Sequence, residues 1–184
     1  MKSDKQSRGL DVKAFAQSGG VREQEGLLAD FPRLSQEAEG RAPDTPVRWR
    51  AVGEQREGGG VAQAWLHLTA ETQLPVTCQR CLEPVALPLS VDRWFRFVAD
   101  EATAEREDEE AEEDVLVLDP AFDLPSLVED ELLMELPLVP RHAVCPTTVA
   151  LEHADPDFEE AKEAKPNPFG VLAGMKLKPG KDEH

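Results

Sequence analysis

Strict alternation of apolar and polar residues over a long central stretch limits this chain to folds built around a sheet. From Val47 the period is two: Val47, Trp49 and Ala51 alternate with Arg48 and Arg50. Gly58-Gly59-Gly60 then supplies a conformationally permissive turn. Beyond it, Ala62, Ala64, Leu66, Leu68 and Ala70 fall on one face, with Gln63, Trp65, His67, Thr69 and Glu71 opposite. Successive strand side chains point to opposite faces, so the pattern predicts a half-buried hairpin. A third strand region runs from Val85 to Val98, where Leu87, Leu89, Val91, Phe95 and Phe97 share a side that Arg93 interrupts. The expected fold class is α+β. A mainly antiparallel β-sheet of four or more strands, or a partial barrel, carries one packed helix at about 124–135 and a short helical C-terminal tail.

The helix is read from its ends. Asp123 caps it and Pro125 lies in its first turn, where a missing N–H costs nothing. Pro137 ends it near Glu135. Leu124, Leu127, Val128, Leu132 and Met134 share a broad arc, and Glu131 and Glu135 fall near its middle. Those two acids are expected to reach the rim or to pair with arginines such as Arg80 or Arg141; a functional acidic pair is the other reading. In residues 100–114 ten of fifteen side chains are Asp or Glu, against one cation, Arg106. Charges this dense repel one another, which predicts a flexible loop. Val115-Leu116-Val117-Leu118 is too apolar to stay in solvent and returns to the sheet. Leu10–Phe15 suits either a strand or a short helix. Leu27–Leu34 is a second apolar segment, and 35–46 reads as a loop. The expected organisation is a single domain over 1–157, with a flexible acidic loop at 100–114, and a tail over 158–184. In the tail, Asn167 is a good cap and Pro168 a good first helical residue, with Phe169 on the apolar side.

All three cysteines lie in two short stretches, Cys78-Gln79-Arg80-Cys81 and His142-Ala143-Val144-Cys145. If the fold brings them together, Cys78, Cys81, His142 and Cys145 make a Cys3His set suited to tetrahedral zinc. Thiol redox chemistry and a metal-free buried turn are the other readings. The first of these normally needs a cysteine at a helix N-terminus, whereas Pro75 and Pro84 here flank a turn between extended segments. Serines lack an ordered His/Asp context, and no Gly-rich loop precedes a helix, so no enzyme is expected. No apolar run is long enough for a membrane span, and no secretory signal opens the chain, so a cytoplasmic address is expected. The charge balance of 20 basic against 37 acidic residues, net −17, opposes a large nucleic-acid footprint and favours a basic partner.

Three motifs in order, CQRCLEP after a strand, VEDELLMELPLVPRH with a nearby cysteine, and a terminal KPNPFGVLAGMK, resemble the YceD family. These are the large ribosomal RNA subunit accumulation proteins of bacteria and plastids, and the resemblance covers roughly residues 10–178. It implies a role in synthesis, processing or stability of large-subunit (23S) ribosomal RNA, with no enzymatic activity. Some relatives carry a second cysteine pair after the LPLxP stretch; this sequence has His142 and Cys145 there. The expected partner is a basic ribosomal protein or assembly factor, with Arg80, Glu131, Glu135, Arg141, Asn167, Pro168 and Phe169 as candidate contacts. The alternatives are direct RNA binding through arginines 48, 50, 80 and 141, and a CxxC redox or RNA-processing enzyme.

Overall fold

Two unbroken strands, β2 (Pro46–Gly58) and β3 (Val61–Thr77), form the hairpin that the alternation predicts. Gly60 in the connecting turn has φ +79°, a conformation that side chains with a Cβ avoid. The computed structural model describes residues 9–58 and 60–147, within the first of two units into which the chain divides, Met1–Thr147. β4 (Pro84–Val98) pairs antiparallel with β3 along its whole length. β1 (Val21–Leu27) adds antiparallel to the free side of β2, and β5 (Asp114–Val117) adds parallel to β4. The order is therefore β1-β2-β3-β4-β5. The sheet is mostly antiparallel and open. It does not close into a partial barrel, because the edge strands β1 and β5 do not pair with each other.

One face of the sheet carries the core. Val47, Trp49, Ala51, Leu66, Leu68, Leu74, Leu89, Val91, Phe95 and Phe97 are buried there, as the period of two requires. Three helices cover this face rather than one. α1 (Val12–Gln17), capped by the Asp11 carboxylate at 3.0 Å from Ala14 N, settles the ambiguous N-terminal segment as a helix. It packs on β2 and β3 through Val12 and Ala16. α2 (Pro32–Glu37) follows a single 3-10 turn, Leu28–Asp30, so part of the expected 35–46 loop is helical. α4 (Leu124–Met134) has Asp123 as its cap and Glu135 at its end, as read from the sequence. Leu124, Val128 and Leu132 are buried in the core, whereas Met134 faces solvent at the last turn.

The acidic stretch is not a loop throughout. Its first part is α3 (Glu101–Asp108), capped by Asp100, and its last residue opens β5. What the sequence reading lacked was a cation outside the run. Arg96 of β4 is buried, and its guanidinium reaches Glu113 and Glu107, each at 2.5 Å. Ala104 and Val115 close over Val98 to form a small second core. Parallel pairing also requires a crossover connection of about a dozen residues or more. The stretch 99–113 is that connection. The expected boundary at 157/158 and the helical tail lie outside the described residues.

Candidate metal centre

β3 ends at Thr77, and the chain reverses through Cys78–Glu83 into β4. The turn is tied by Cys78 N donating to Glu83 O and Leu82 N donating to Cys78 O, both at 2.9 Å, with Leu82 at φ +62°. This sets Cys78 and Cys81 on one side. After α4, the proline-rich segment 136–147 crosses the turn. Gln79 N donates to Pro140 O at 2.8 Å, a backbone tie between the two stretches.

The crossing brings Cys78, Cys81, His142 and Cys145 together, with one ligand atom from each lying within 4.8 Å of all the others. The Sγ atoms of Cys78 and Cys145 are 4.0 Å apart, and Cys81 Sγ is 3.4 Å from His142 Nδ1. A tetrahedron with metal–sulfur bonds of about 2.3 Å has sulfur–sulfur edges of about 3.8 Å, so the spacing suits such a site. His142 Nε2 lies 3.1 Å from Pro84 O. A carbonyl can only accept, so Nε2 carries the proton and Nδ1 presents its lone pair to the cluster.

Burial of Cys78 pushes its thiol up, but the opposing interactions win. Backbone N–H groups of Cys81, Arg80 and His142 and the His142 side chain bring it down to about 5. The His142 N–H lies 3.4 Å from this sulfur. Burial, the Cys81 and Cys78 side chains and their charge push Cys145 up. One sulfur is thus readied as a thiolate and another is held back by its neighbours' electrons. A divalent cation would relieve that repulsion. Cys78 is fully buried, which leaves no approach for a disulfide substrate to that sulfur, while Cys81 and Cys145 are half-buried.

Other candidate residues fall differently. Arg80 and Arg141 are exposed beside the cluster, and neither forms an ion pair among the described residues. Glu131 and Glu135 do not pair with them. Both face Arg93, the cation that interrupts β4: Arg93 Nε is 3.4 Å from Glu131 Oε2 and Nη2 is 4.0 Å from Glu135 Oε1. The two irregularities of the apolar pattern therefore meet each other across the sheet–helix contact. Asn167, Pro168 and Phe169 lie outside the described residues. Sequence reasoning missed Glu129, whose Oε1 accepts from Arg33 N at 2.7 Å and Leu34 N at 3.2 Å. It also missed Arg56, which lies over the rings of Trp94 at 4.0 Å and Trp65 at 4.4 Å on the outer face. The Glu129 contacts and the Arg56–Trp94 contact join residues remote in sequence, and no local pattern marks them.

The sequence model of the family described as "Large ribosomal RNA subunit accumulation protein YceD" matches residues 66–176, which include all four cluster residues. The chain belongs to the YceD family. A YceD relative with that same description, from Haemophilus influenzae (strain ATCC 51907 / DSM 11121 / KW20 / Rd), is 36% identical over 110 residues. The match covers 59% of this chain and 63% of the relative, less than two thirds of its length. No solved structure matches. Among the described residues of this YceD member, no helix is long and apolar enough to cross a membrane.

Proposed function

We propose that this YceD member is a non-enzymatic, cytoplasmic factor in large-subunit ribosome biogenesis. It supports synthesis, processing or stability of 23S ribosomal RNA by holding a basic ribosomal protein or assembly factor. The observation that carries the reading is a net charge of −17 in a member of a family named for ribosomal RNA accumulation. Such a charge repels a phosphate backbone and attracts the cationic proteins that coat it. The test is capture on immobilised full chain from purified large-subunit components at low and high salt. Basic proteins held at low salt and released at high salt are expected. Recovery of naked RNA alone would overturn the reading and favour direct RNA binding. Against that alternative, Arg48 and Arg50 are already matched by Glu25, Glu71 and Glu23.

Within this reading the Cys3His cluster holds zinc through Cys78, Cys81, His142 and Cys145. Four protein ligands leave no open position, so the metal supplies cross-linking rather than catalysis. It fixes segment 136–147 against the β3–β4 turn. Arg80, Arg141, Glu135 and the tail residues Asn167, Pro168 and Phe169 are the proposed partner contacts; Glu131, buried against Arg93, is left to the fold. Elemental analysis of protein purified without chelator is expected to give about one zinc per chain. A metal-free protein whose Tm ignores chelators would reduce the cluster to packing.

A further inference from the structure

Among the described residues, one edge of the sheet is open over residues 21–25 and ends in acid. Gly53 N donates to Gly20 O, and Leu28 N donates to Thr45 O, each at 2.8 Å. Both pairs continue the β1–β2 register. Antiparallel pairing alternates bonded and non-bonded residues. Arg22, Gln24 and Gly26 therefore bond to β2, while the N–H and C=O groups of Val21, Glu23 and Glu25 point away from the sheet. At the far end, Leu27 N is taken by Asp30 Oδ2 at 2.9 Å. No other described residue forms a backbone hydrogen bond to residues 21–25 on that side.

Charge decides what this edge accepts. On the outer face, Glu25, Arg48 and Glu71 form one cross-strand row, with Arg48 Nε 2.5 Å from Glu25 and Nη1 3.7 Å from Glu71. The next row pairs Glu23 with Arg50 at 2.6 Å. Signs alternate across the strands, and both rows finish at the open edge on a carboxylate. Val21 and Leu27, on the same face at the two ends of β1, are exposed apolar side chains.

We propose that β1 receives an added strand from the basic partner: an extended segment with cations at positions i and i+2, flanked two residues further on each side by apolar residues. The segment would exchange main-chain bonds with Val21, Glu23 and Glu25, and its cations would extend both rows. A second copy of this chain is disfavoured, because antiparallel pairing about Gln24 sets Glu23 against Glu25 of the copy. Charge on an edge strand often serves to prevent pairing. Here the strand is regular, lacks Pro and Lys, carries its one cation, Arg22, on the opposite face, and bears on the outer face acids that repel acidic edges. The proposal rests on the reading of a basic protein partner and locates where that partner binds.

The probe is a synthetic peptide, Val-Thr-Lys-Thr-Lys-Thr-Val, blocked at both ends and titrated into the full chain. Binding is expected, with signal changes at residues 21–25 by NMR. N-methylation at both lysines keeps the charge and removes the donors, and is expected to weaken binding about ten-fold or more. The Glu23→Lys/Glu25→Lys variant is expected to lose the peptide to a similar degree. Adding Arg48→Glu, Arg50→Glu and Glu71→Lys restores the internal pairs of both rows, so that five-fold variant controls for folding and should prefer the peptide with Glu in place of Lys. Equal binding of the methylated and unmethylated peptides, or no binding of either, would overturn the strand addition. A parallel capture of purified basic large-subunit proteins separates the two claims. If wild type and the Glu23→Lys/Glu25→Lys variant retain them equally, the edge is wrong and the basic-partner reading stands. If neither retains them, the wider reading fails.

Discussion

Glu129 acts on a helix other than its own. Its carboxylate receives the first free N–H groups of α2, from Arg33 and Leu34, and also pairs with the Arg33 side chain at 3.1 Å. Helix N-termini leave such donors unpaired, and a charged acceptor there is a strong interaction. Glu129→Gln is expected to destabilise the fold by about 2–4 kcal/mol, read from denaturant midpoints. Glu131, two residues on, should behave in the opposite way. Burial raises its carboxyl pKa; Arg93 opposes the shift, and Asp114, Asp130 and Glu135 add to it. One of its oxygens, Oε2, is buried with no hydrogen bond, although Arg93 is close. With the folded value above the unfolded one, the folded state binds the extra proton in the interval between them. Stability should therefore fall as pH rises from about 4.3 through the raised value. Glu131→Gln is expected to flatten that part of the stability–pH curve in chemical denaturation; an unchanged slope would show that Arg93 fully offsets the burial. The sequence revealed Arg93 and Glu131 as breaks in two apolar stripes. It did not reveal that they break them at the same place, because register between a strand and a helix whose residues lie about forty positions apart is set by packing. The four metal-ligand candidates were legible for a simpler reason: cysteine spacing is local, and few other residues offer comparable donors.

At the level of elements, the acidic stretch shows how a charge count misleads. Ten acids predict repulsion, yet Arg96 and Arg106 hold Glu107 below the usual carboxylate range, and α3 docks through Ala104. The deciding cation lies in the preceding strand, in a position that reads as an ordinary outward residue. Arg96→Met should remove the tie to Glu107 and Glu113. Hydrogen exchange over 101–113 is expected to accelerate, while β2 and β3 keep their protection. Because 99–113 is also the crossover that lets β5 run parallel to β4, shortening it to four or five residues should release β5 from the sheet. A mere solvated insertion would survive that deletion unchanged. The contact of α1 with the sheet is equally specific. A Cβ on Gly53 would lie 2.8 Å from Phe15 O and 2.9 Å from Ala16 Cα, both backbone atoms that cannot rotate away. Gly53→Ala is expected to cost about 1–3 kcal/mol in thermal or denaturant unfolding. The long strands were legible because burial on one face repeats every second residue for ten residues or more. β1 was not: its seven residues, Val-Arg-Glu-Gln-Glu-Gly-Leu, sit at an edge and carry almost no apolar face.

For the whole molecule, the helix-covered face makes the core, and the outer face and the β1 edge present charge. With a net charge of −17, salt should weaken partner capture steeply, whereas loss of a metal held by the Cys3His cluster would act on shape. Chelation is therefore expected to lower Tm and expose segment 136–147 to protease, with little effect on peptide binding at β1. The cluster has a further consequence for how the protein is made. Cys81 and His142 are separated by 61 positions in the chain. At ordinary rates of translation the first two thiols leave the ribosome several seconds, about 3–12, before the other two donors. During that interval the nascent hairpin tip holds only half of the Cys3His cluster. His142 and Cys145 are thus the last of the four candidate donors to be synthesised, and until they emerge the pair of sulfurs is a point at which a nascent chain is open to oxidation or to soft metals.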